Sequence, residues 1–277
     1  MLICLTLNSI RIEMKNRKIA IIGCGNLGST IVHGMLDDGF EASNLIVTRR
    51  NTASLKALAD KGIVITSDNS VAVKDADVVI LGVKPYNVEP ILKEISSSLE
   101  SGKHTLVCLA TGITLKELAE WSAKELPIFR AMPNTAADVN ESMTLICESG
   151  ASTEQREAMK QLFDKIGSTL YIDENLMEAA TILGACGIAY VLRFMRAMIQ
   201  GGIEVGFDAK TATAIVSQTM KGASELIIQN GTHPESEIDK VTTPKGCTIT
   251  GLNEMEHAGF SSALIKGIVA SYKKIEK

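Results

Sequence analysis

The run Gly23-Cys24-Gly25-Asn26-Leu27-Gly28 joins a short β-branched stretch, residues 18–22, to a stretch with helical spacing, residues 26–36. Glycines at the first, third and sixth positions between strand and helix suit one kind of chemistry. The first allows a tight turn, the second lets backbone approach a pyrophosphate, and the third lets helix and strand pack closely, with the helix N-terminus facing the phosphates. This predicts dinucleotide binding by Gly23, Gly25, Asn26, Leu27 and Gly28; a purely structural glycine turn is the alternative. The next strand candidate ends Val47-Thr48-Arg49-Arg50-Asn51. A site for NAD usually carries a carboxylate there for the ribose hydroxyls. Two arginines instead suit a 2′-phosphate through their bidentate forks. The expected cofactor is NADPH, with NADH left open, and solvated surface arginines are the competing reading.

A second segment with chemical content is Thr242-Thr243-Pro244-Lys245-Gly246-Cys247-Thr248-Ile249-Thr250-Gly251. A Pro-x-Gly turn opens a helix that carries hydroxyls in its first turn. Free backbone N–H groups there can hold a carboxylate, and a threonine hydroxyl can donate to or accept from a substrate nitrogen. Taken alone, the segment reads equally as an ordinary helix start.

Strand-like runs at 18–22, 45–48, 64–65, 77–83 and 105–109 alternate with helical stretches at 26–36, 52–60, 87–99 and 114–121. That alternation predicts a parallel sheet covered by helices on both faces. Later strands are expected at 128–131, 143–147 and 169–172, with a helix over 153–166 between the last two. After about residue 173 only helical patterning remains: 175–204, then a helix capped by Asp208 and closed at Asn230-Gly231, then 234–241, 247–257 and 261–274. The fold class is therefore an α/β Rossmann-type N-terminal domain over 14–173 plus an all-α C-terminal domain over 174–277, with residues 1–13 read as a disordered extension. The long helix is apolar on most faces (Ile182, Leu183, Ile188, Val191, Leu192, Phe194, Met195, Met198, Ile199). Such a helix must be buried against more than its own small domain, which predicts a helix-mediated homodimer.

The net charge of −4 provides no overall basic field, so neither nucleic acid nor a membrane surface is an expected partner. Six cysteines form no C-x-x-C and pair with none of the four histidines at zinc spacing. No metal is expected, and the thiols are read as small packing residues of a cytoplasmic protein.

The C-terminal segment Asp239-Lys240-Val241-Thr242-Thr243-Pro244-Lys245-Gly246-Cys247-Thr248-Ile249 resembles the signature of the pyrroline-5-carboxylate reductase family. So do Leu252-x-x-Met255-Glu256-x-x-Gly259-Phe260, Gln218-Thr219-x-x-Gly222-Ala223 and His233-Pro234. In the first half Val83-Lys84-Pro85 and Arg130-Ala131-Met132-Pro133-Asn134-Thr135 match as well. The resemblance runs from about residue 18 to the C-terminus. It implies reduction of the C=N bond of Δ1-pyrroline-5-carboxylate to L-proline, the last step of proline biosynthesis. It also implies C-terminal helices that form the dimer, with larger rings of dimers in the family. By position, Asn69, Val83, Lys84, Pro85, Ala110 and Thr111 would join the cofactor site. Gly246, Cys247 and Thr248 would hold the substrate carboxylate, the Thr248 hydroxyl would lie near the ring nitrogen as the catalytic group, and Glu174 would face the substrate. The chain departs from the family pattern in Leu183-Gly184-Ala185-Cys186-Gly187-Ile188-Ala189-Tyr190, at Lys245, and at Arg196 and Gln200.

Three other functions fit the same sequence features. A reductase of another cyclic imine differs by as little as one methylene, worth only ~1–3 kcal/mol in a pocket. A β-hydroxyacid dehydrogenase shares the plan but resembles its relatives in a lysine on the long helix, and no lysine lies between Lys165 and Lys210. The third is a non-catalytic NADPH-binding protein.

Overall fold

The computed structural model describes residues 17–275. The expected extension at 1–13 lies outside the described residues. Two compact units meet at residues 185 and 186.

The first unit is built on an eight-stranded sheet in the order β3-β2-β1-β4-β5-β6-β7-β8. Its strands are β1 (Ile19–Ile22), β2 (Leu45–Thr48), β3 (Val64–Thr66), β4 (Val78–Leu81), β5 (Thr105–Cys108), β6 (Ile128–Met132), β7 (Ser142–Ser149) and β8 (Gly167–Tyr171). Helices α1 (Asn26–Asp37), α2 (Lys56–Ala59), α3 (Asn69–Lys74), α4 (Val88–Ile95), α5 (Leu115–Ser122) and α6 (Thr153–Phe163) connect them. Side chains alternate across the sheet. Ile19 and Ile21 pack with Ile31, Val32 and Met35 of α1 and Met159, Leu162 and Phe163 of α6. Ala20 and Ile22 pack on the other face with Val73, Leu92, Ile95 and Leu118. Helices on both faces are why the central strands read as unbroken apolar runs.

The sheet is not parallel throughout. β7 runs antiparallel to β6, and β8 is parallel to β7. Only the short turn Thr135–Val139 lies between β6 and β7, and a parallel crossover needs roughly a dozen residues or more. Helix α3, between β3 and β4, was not anticipated. It starts on Asp68, whose side chain accepts from the Val71 N–H at 3.0 Å.

The expected long helix begins as a short turn at Glu174–Leu176 and continues as α7 (Met177–Thr181). It widens to a π-turn over Ile182–Cys186 before α8 (Gly187–Glu204). Asn134, from the loop after β6, donates through Nδ2 to the Gly184 carbonyl at 3.0 Å and so holds the widened turn. By length and composition the stretch Glu174–Glu204 is apolar enough to cross a membrane.

The second unit contains α8, α9 (Ala209–Asn230), α10 (Pro234–Val241), α11 (Cys247–His257) and α12 (Phe260–Ile275). Asp208 caps α9 by accepting from Lys210 and Thr211 N–H, each at 3.0 Å, and Gly231 closes it at φ +62°. Inside this unit Tyr190 and Ser271 share a hydrogen bond of 2.7 Å, and the Phe194 and Phe260 rings lie 5.6 Å apart. Yet α8, α10, α11 and α12 contain no buried residue. Leu192, Ile265 and Val205 are 57%, 60% and 77% exposed, so the apolar faces of this unit lack a core of their own.

Candidate functional site

In a doubly wound sheet, ligands bind beyond the carboxyl ends of the strands where the strand order reverses. Here the order reverses between β1 and β4, and a cleft of about 650 Å³ opens at that point. It is lined by Gly23 and Gly25 after β1, Thr48, Arg49 and Arg50 at the end of β2, Asn69 after β3, and Val83 and Lys84 after β4. Those residues come from separate segments, and the sheet brings them together because parallel strands present their ends along one edge. The loop Ala110-Thr111 follows β5 on the same edge, farther along; Ala110 is buried and the Thr111 hydroxyl meets Met132 Sδ at 3.8 Å. Pro85 opens the short turn Pro85–Asn87 that leads into α4.

The glycine turn has the form its spacing predicts. Gly23 sits at φ +83°, and a Cβ there would lie 2.3 Å from Val83 Cγ1. Gly28 faces Ile21 and Cys24, where a Cβ would lie 3.3 Å from Ile21 Cγ2, so α1 rests directly on β1. The Gly23 and Cys24 N–H groups both donate to the Thr48 carbonyl, at 3.1 and 2.8 Å. Helix α1 starts at Gly25 with no side-chain cap and no acidic residue in its first turn. The first-turn N–H groups of Asn26, Leu27 and Gly28, with exposed Arg49, Arg50 and Lys84 nearby, therefore fit an anionic ligand. Cys24 is buried under the turn, and burial pushes its thiol up against the opposing effects of Ser29 and Arg49. It serves as packing.

Sequence reasoning missed Thr48 as a site residue. Its side chain is buried, accepts from Gly23 N–H at 3.3 Å and donates to Asn69 Oδ1 at 2.7 Å. It also missed Ser67, Tyr86, Asn87 and Glu94 on the cleft wall. Tyr86 and Asn87 directly follow the Val83-Lys84-Pro85 motif, which was the available signal. Nothing local marks Glu94.

The predicted substrate residues lie in two places. Gly246, Cys247 and Thr248 belong to the second unit, at the start of α11. Gly246 is the N-cap, and a Cβ on it would lie 2.6 Å from Thr243 Oγ1 and 3.0 Å from the Thr243 carbonyl oxygen. The preceding Lys245 adopts φ +61°, a conformation that glycine takes at far lower cost. No side chain caps α11, so its first-turn N–H groups remain open to an acceptor. Among the described residues no hydrogen bond engages the exposed Thr248 hydroxyl.

Glu174 lies in the first unit. Its Oε1 accepts from Arg130 Nη1 at 2.9 Å and from the Leu115 N–H at 2.6 Å, which fixes the start of α5. Arg130, its side chain 3% exposed, also pairs with Glu178 at 3.0 Å. Burial works against the guanidinium's charge, but its hydrogen bonds to Glu178 and Glu174 outweigh it and raise its pKa. Among the described residues, no group of three or more His, Cys, Asp or Glu could hold a metal ion. The five described cysteines are all free thiols. Burial pushes Cys108 and Cys147 to about 11, so they are protonated and inert at neutral pH.

A Rossmann sheet covered by helices on both faces, a glycine turn on an uncapped helix and a basic second-strand end together define a dinucleotide-binding protein. Residues 18–111 match the family described as NADP oxidoreductase coenzyme F420-dependent, and residues 174–277 match pyrroline-5-carboxylate reductase dimerisation. Pyrroline-5-carboxylate reductase 2 of Dictyostelium discoideum is 41% identical over 96% of this chain and 94% of its own length. Pyrroline-5-carboxylate reductase 1 of the same organism is 40% identical over 95% of this chain, which spans only 50% of that longer protein. The crystal structure of Plasmodium falciparum pyrroline carboxylate reductase with NADP bound superposes with a TM-score of 0.85 at 25% identity, covering 95% and 98% of the two chains. The chain belongs to the pyrroline-5-carboxylate reductase family.

Proposed function

We propose that the protein reduces the C=N bond of Δ1-pyrroline-5-carboxylate to L-proline with NADPH, and that NADH also serves. The observation that carries this reading is the start of α11, where an uncapped helix turn and an unengaged threonine hydroxyl stand side by side in a chain of this family. When bound, the dihydronicotinamide supplies the hydride. The protein's part is to bind and orient, which removes on the order of 7–11 kcal/mol of barrier in the best cases.

The first-turn N–H groups of Asn26, Leu27 and Gly28 face the pyrophosphate, with Gly23 and Gly25 giving room for it. Arg49 and Arg50 take the 2′-phosphate. Asn69, Val83, Lys84, Pro85, Ala110 and Thr111 form the remaining wall along the strand ends. The N–H groups at Gly246, Cys247 and Thr248 hold the substrate carboxylate. The Thr248 hydroxyl hydrogen-bonds the ring nitrogen, which keeps the carbon electrophilic. Glu174 faces the substrate, while its Oε1 also accepts from the Leu115 N–H at 2.6 Å.

The working form is a cytoplasmic homodimer made through the C-terminal helices, with assembly into a ring of dimers. Its support is that four of the five helices of the second unit have no buried residue, while a groove of about 460 Å³ lined by Val191, Phe194, Leu264 and Ile268 lies open. Under this reading the apolar stretch Glu174–Glu204 meets a second copy of the chain, and no membrane or nucleic acid is engaged.

The test is loss of NADPH absorbance with Δ1-pyrroline-5-carboxylate, with NADH and the six-membered cyclic imine run alongside. Fast turnover of the five-membered imine with preference for NADPH is the expected result. Turnover of the six-membered imine alone would reassign the substrate. NADPH binding with no turnover of either imine would overturn the reaction.

A further inference from the structure

Dinucleotide sites tell a ribose 2′-hydroxyl from a 2′-phosphate at the end of the second strand. A carboxylate there accepts hydrogen bonds from the hydroxyls, and arginine there attracts the phosphate. By sequence this chain has only the arginines, because β2 runs into Arg49-Arg50. The folded chain adds a carboxylate from elsewhere. Glu94, on α4, brings Oε1 and Oε2 to 3.3 and 3.5 Å from Asn69 Nδ2. Asn69 Oδ1 in turn accepts from the hydroxyl of Thr48, the last residue of β2, at 2.7 Å. Glu94 therefore stands one amide group away from the end of β2, on the wall of the same cleft as Arg49 and Arg50. Its side chain is exposed to the cleft, and among the described residues no ion pair joins it to Arg49, Arg50 or Lys84. A carboxylate in that position has spare lone pairs for whatever occupies the ribose end.

We propose that Glu94 is a specificity-determining residue that keeps NADH usable, by accepting from a ribose hydroxyl of NADH and by opposing the 2′-phosphate of NADPH. The inference rests on the reading of this cleft as the NAD(P)H site. The two arginines and the one carboxylate act in opposite directions on the same atom of the cofactor, so the discrimination between the two reductants is blunted. The carboxylate comes from a helix some 45 residues beyond the arginines, and the bridge that positions it is the Asn69 amide.

Glu94→Gln tests this with little risk to folding. Glutamine keeps the size and an oxygen that can accept from Asn69 Nδ2, and removes only the charge. The kcat/KM ratio for NADPH over NADH should rise by roughly fivefold or more, through a lower KM for NADPH and a higher KM for NADH. Calorimetric titration with 2′,5′-ADP and 5′-AMP gives a readout independent of the imine. The variant should bind 2′,5′-ADP more tightly and 5′-AMP more weakly than the parent protein. An unchanged ratio with unchanged affinities would overturn the proposal. Equal weakening of both fragments would also overturn it, showing that Glu94 only holds Asn69 in place. Failure of the parent protein to bind either fragment or NADPH would instead sink the cofactor site, and this inference with it.

Discussion

Thr248 stands at the second position of an uncapped helix with its hydroxyl unengaged among the described residues, two residues after Gly246, where a Cβ would meet Thr243. The Thr250 hydroxyl, two residues further on, is by contrast engaged, donating to the Gly246 carbonyl at 3.1 Å. Thr248→Ala should lower kcat/KM for the imine by about tenfold or more, about 1.4 kcal/mol of transition-state stabilisation, with NADPH affinity preserved. Steady-state kinetics beside a direct NADPH titration check both halves. An unchanged kcat/KM would remove Thr248 from the reaction. At this scale the sequence was most informative where a residue's role depends on neighbours in the chain. The glycine turn, Arg49-Arg50 and the Pro-x-Gly helix start are all contiguous. Thr48 and Glu94 were not legible, because their roles depend on Asn69, which lies 21 and 25 residues away from them.

At the scale of single elements, the sheet and the segment that follows it are joined by one buried cation. Arg130 shares a face of β6 with Ile128 and Met132 and pairs with Glu174 and Glu178 at successive turns of the following helical segment. Removing the cation leaves two carboxylates without their partner. Arg130→Met should destabilise the protein by about 3 kcal/mol, read as a lower urea midpoint, with Arg130→Lys intermediate. A midpoint within error of the parent would show that the pair carries no net stability. The helix it adjoins, α5, has a capping box. Thr114 N–H and Oγ1 donate to Glu117 Oε2 at 2.8 and 2.7 Å, and Thr114 Oγ1 accepts from Glu117 N–H at 3.1 Å. Hydrogen bonds from the Thr114 backbone and side chain hold the Glu117 carboxyl below its ordinary value of 4.5. A folded-state pKa below the unfolded one contributes stability above pH 4.5 that is lost as pH falls through the folded value. The stability difference between the parent and Glu117→Gln should therefore be present at pH 7 and shrink as acid is added. At this exposed site it is roughly a few tenths of a kcal/mol. A difference that stays constant from pH 7 to about 3 would contradict the assignment. The helical stretch at 114–121 was legible from its spacing; the Arg130 pairing was not, since its partners lie 44 and 48 residues away.

For the whole molecule, the deciding feature is apolar surface that the second unit does not bury. Leu264, on α12, is 42% exposed at the rim of the groove with Phe194 and Val191. A charge there costs little in a solvated monomer and much in a packed interface. Leu264→Glu should shift the protein from dimer toward monomer in sedimentation velocity while circular dichroism stays helical. A variant that remains fully dimeric would place the interface on another face. The sequence by itself determined the class of each half, because helix and strand periodicities and the glycine turn are local patterns set by backbone geometry and sterics. It also determined that the long apolar helix needs an outside partner, since its apolar residues outnumber what a short helical domain can cover. Only the tertiary structure decided the reversal of β7, the π-turn held by Asn134, the Arg130–Glu174–Glu178 pin and the approach of Glu94 to the end of β2. Each of these depends on which segments meet across tens of residues, and that is set by sheet order and packing, which no local run of residues encodes.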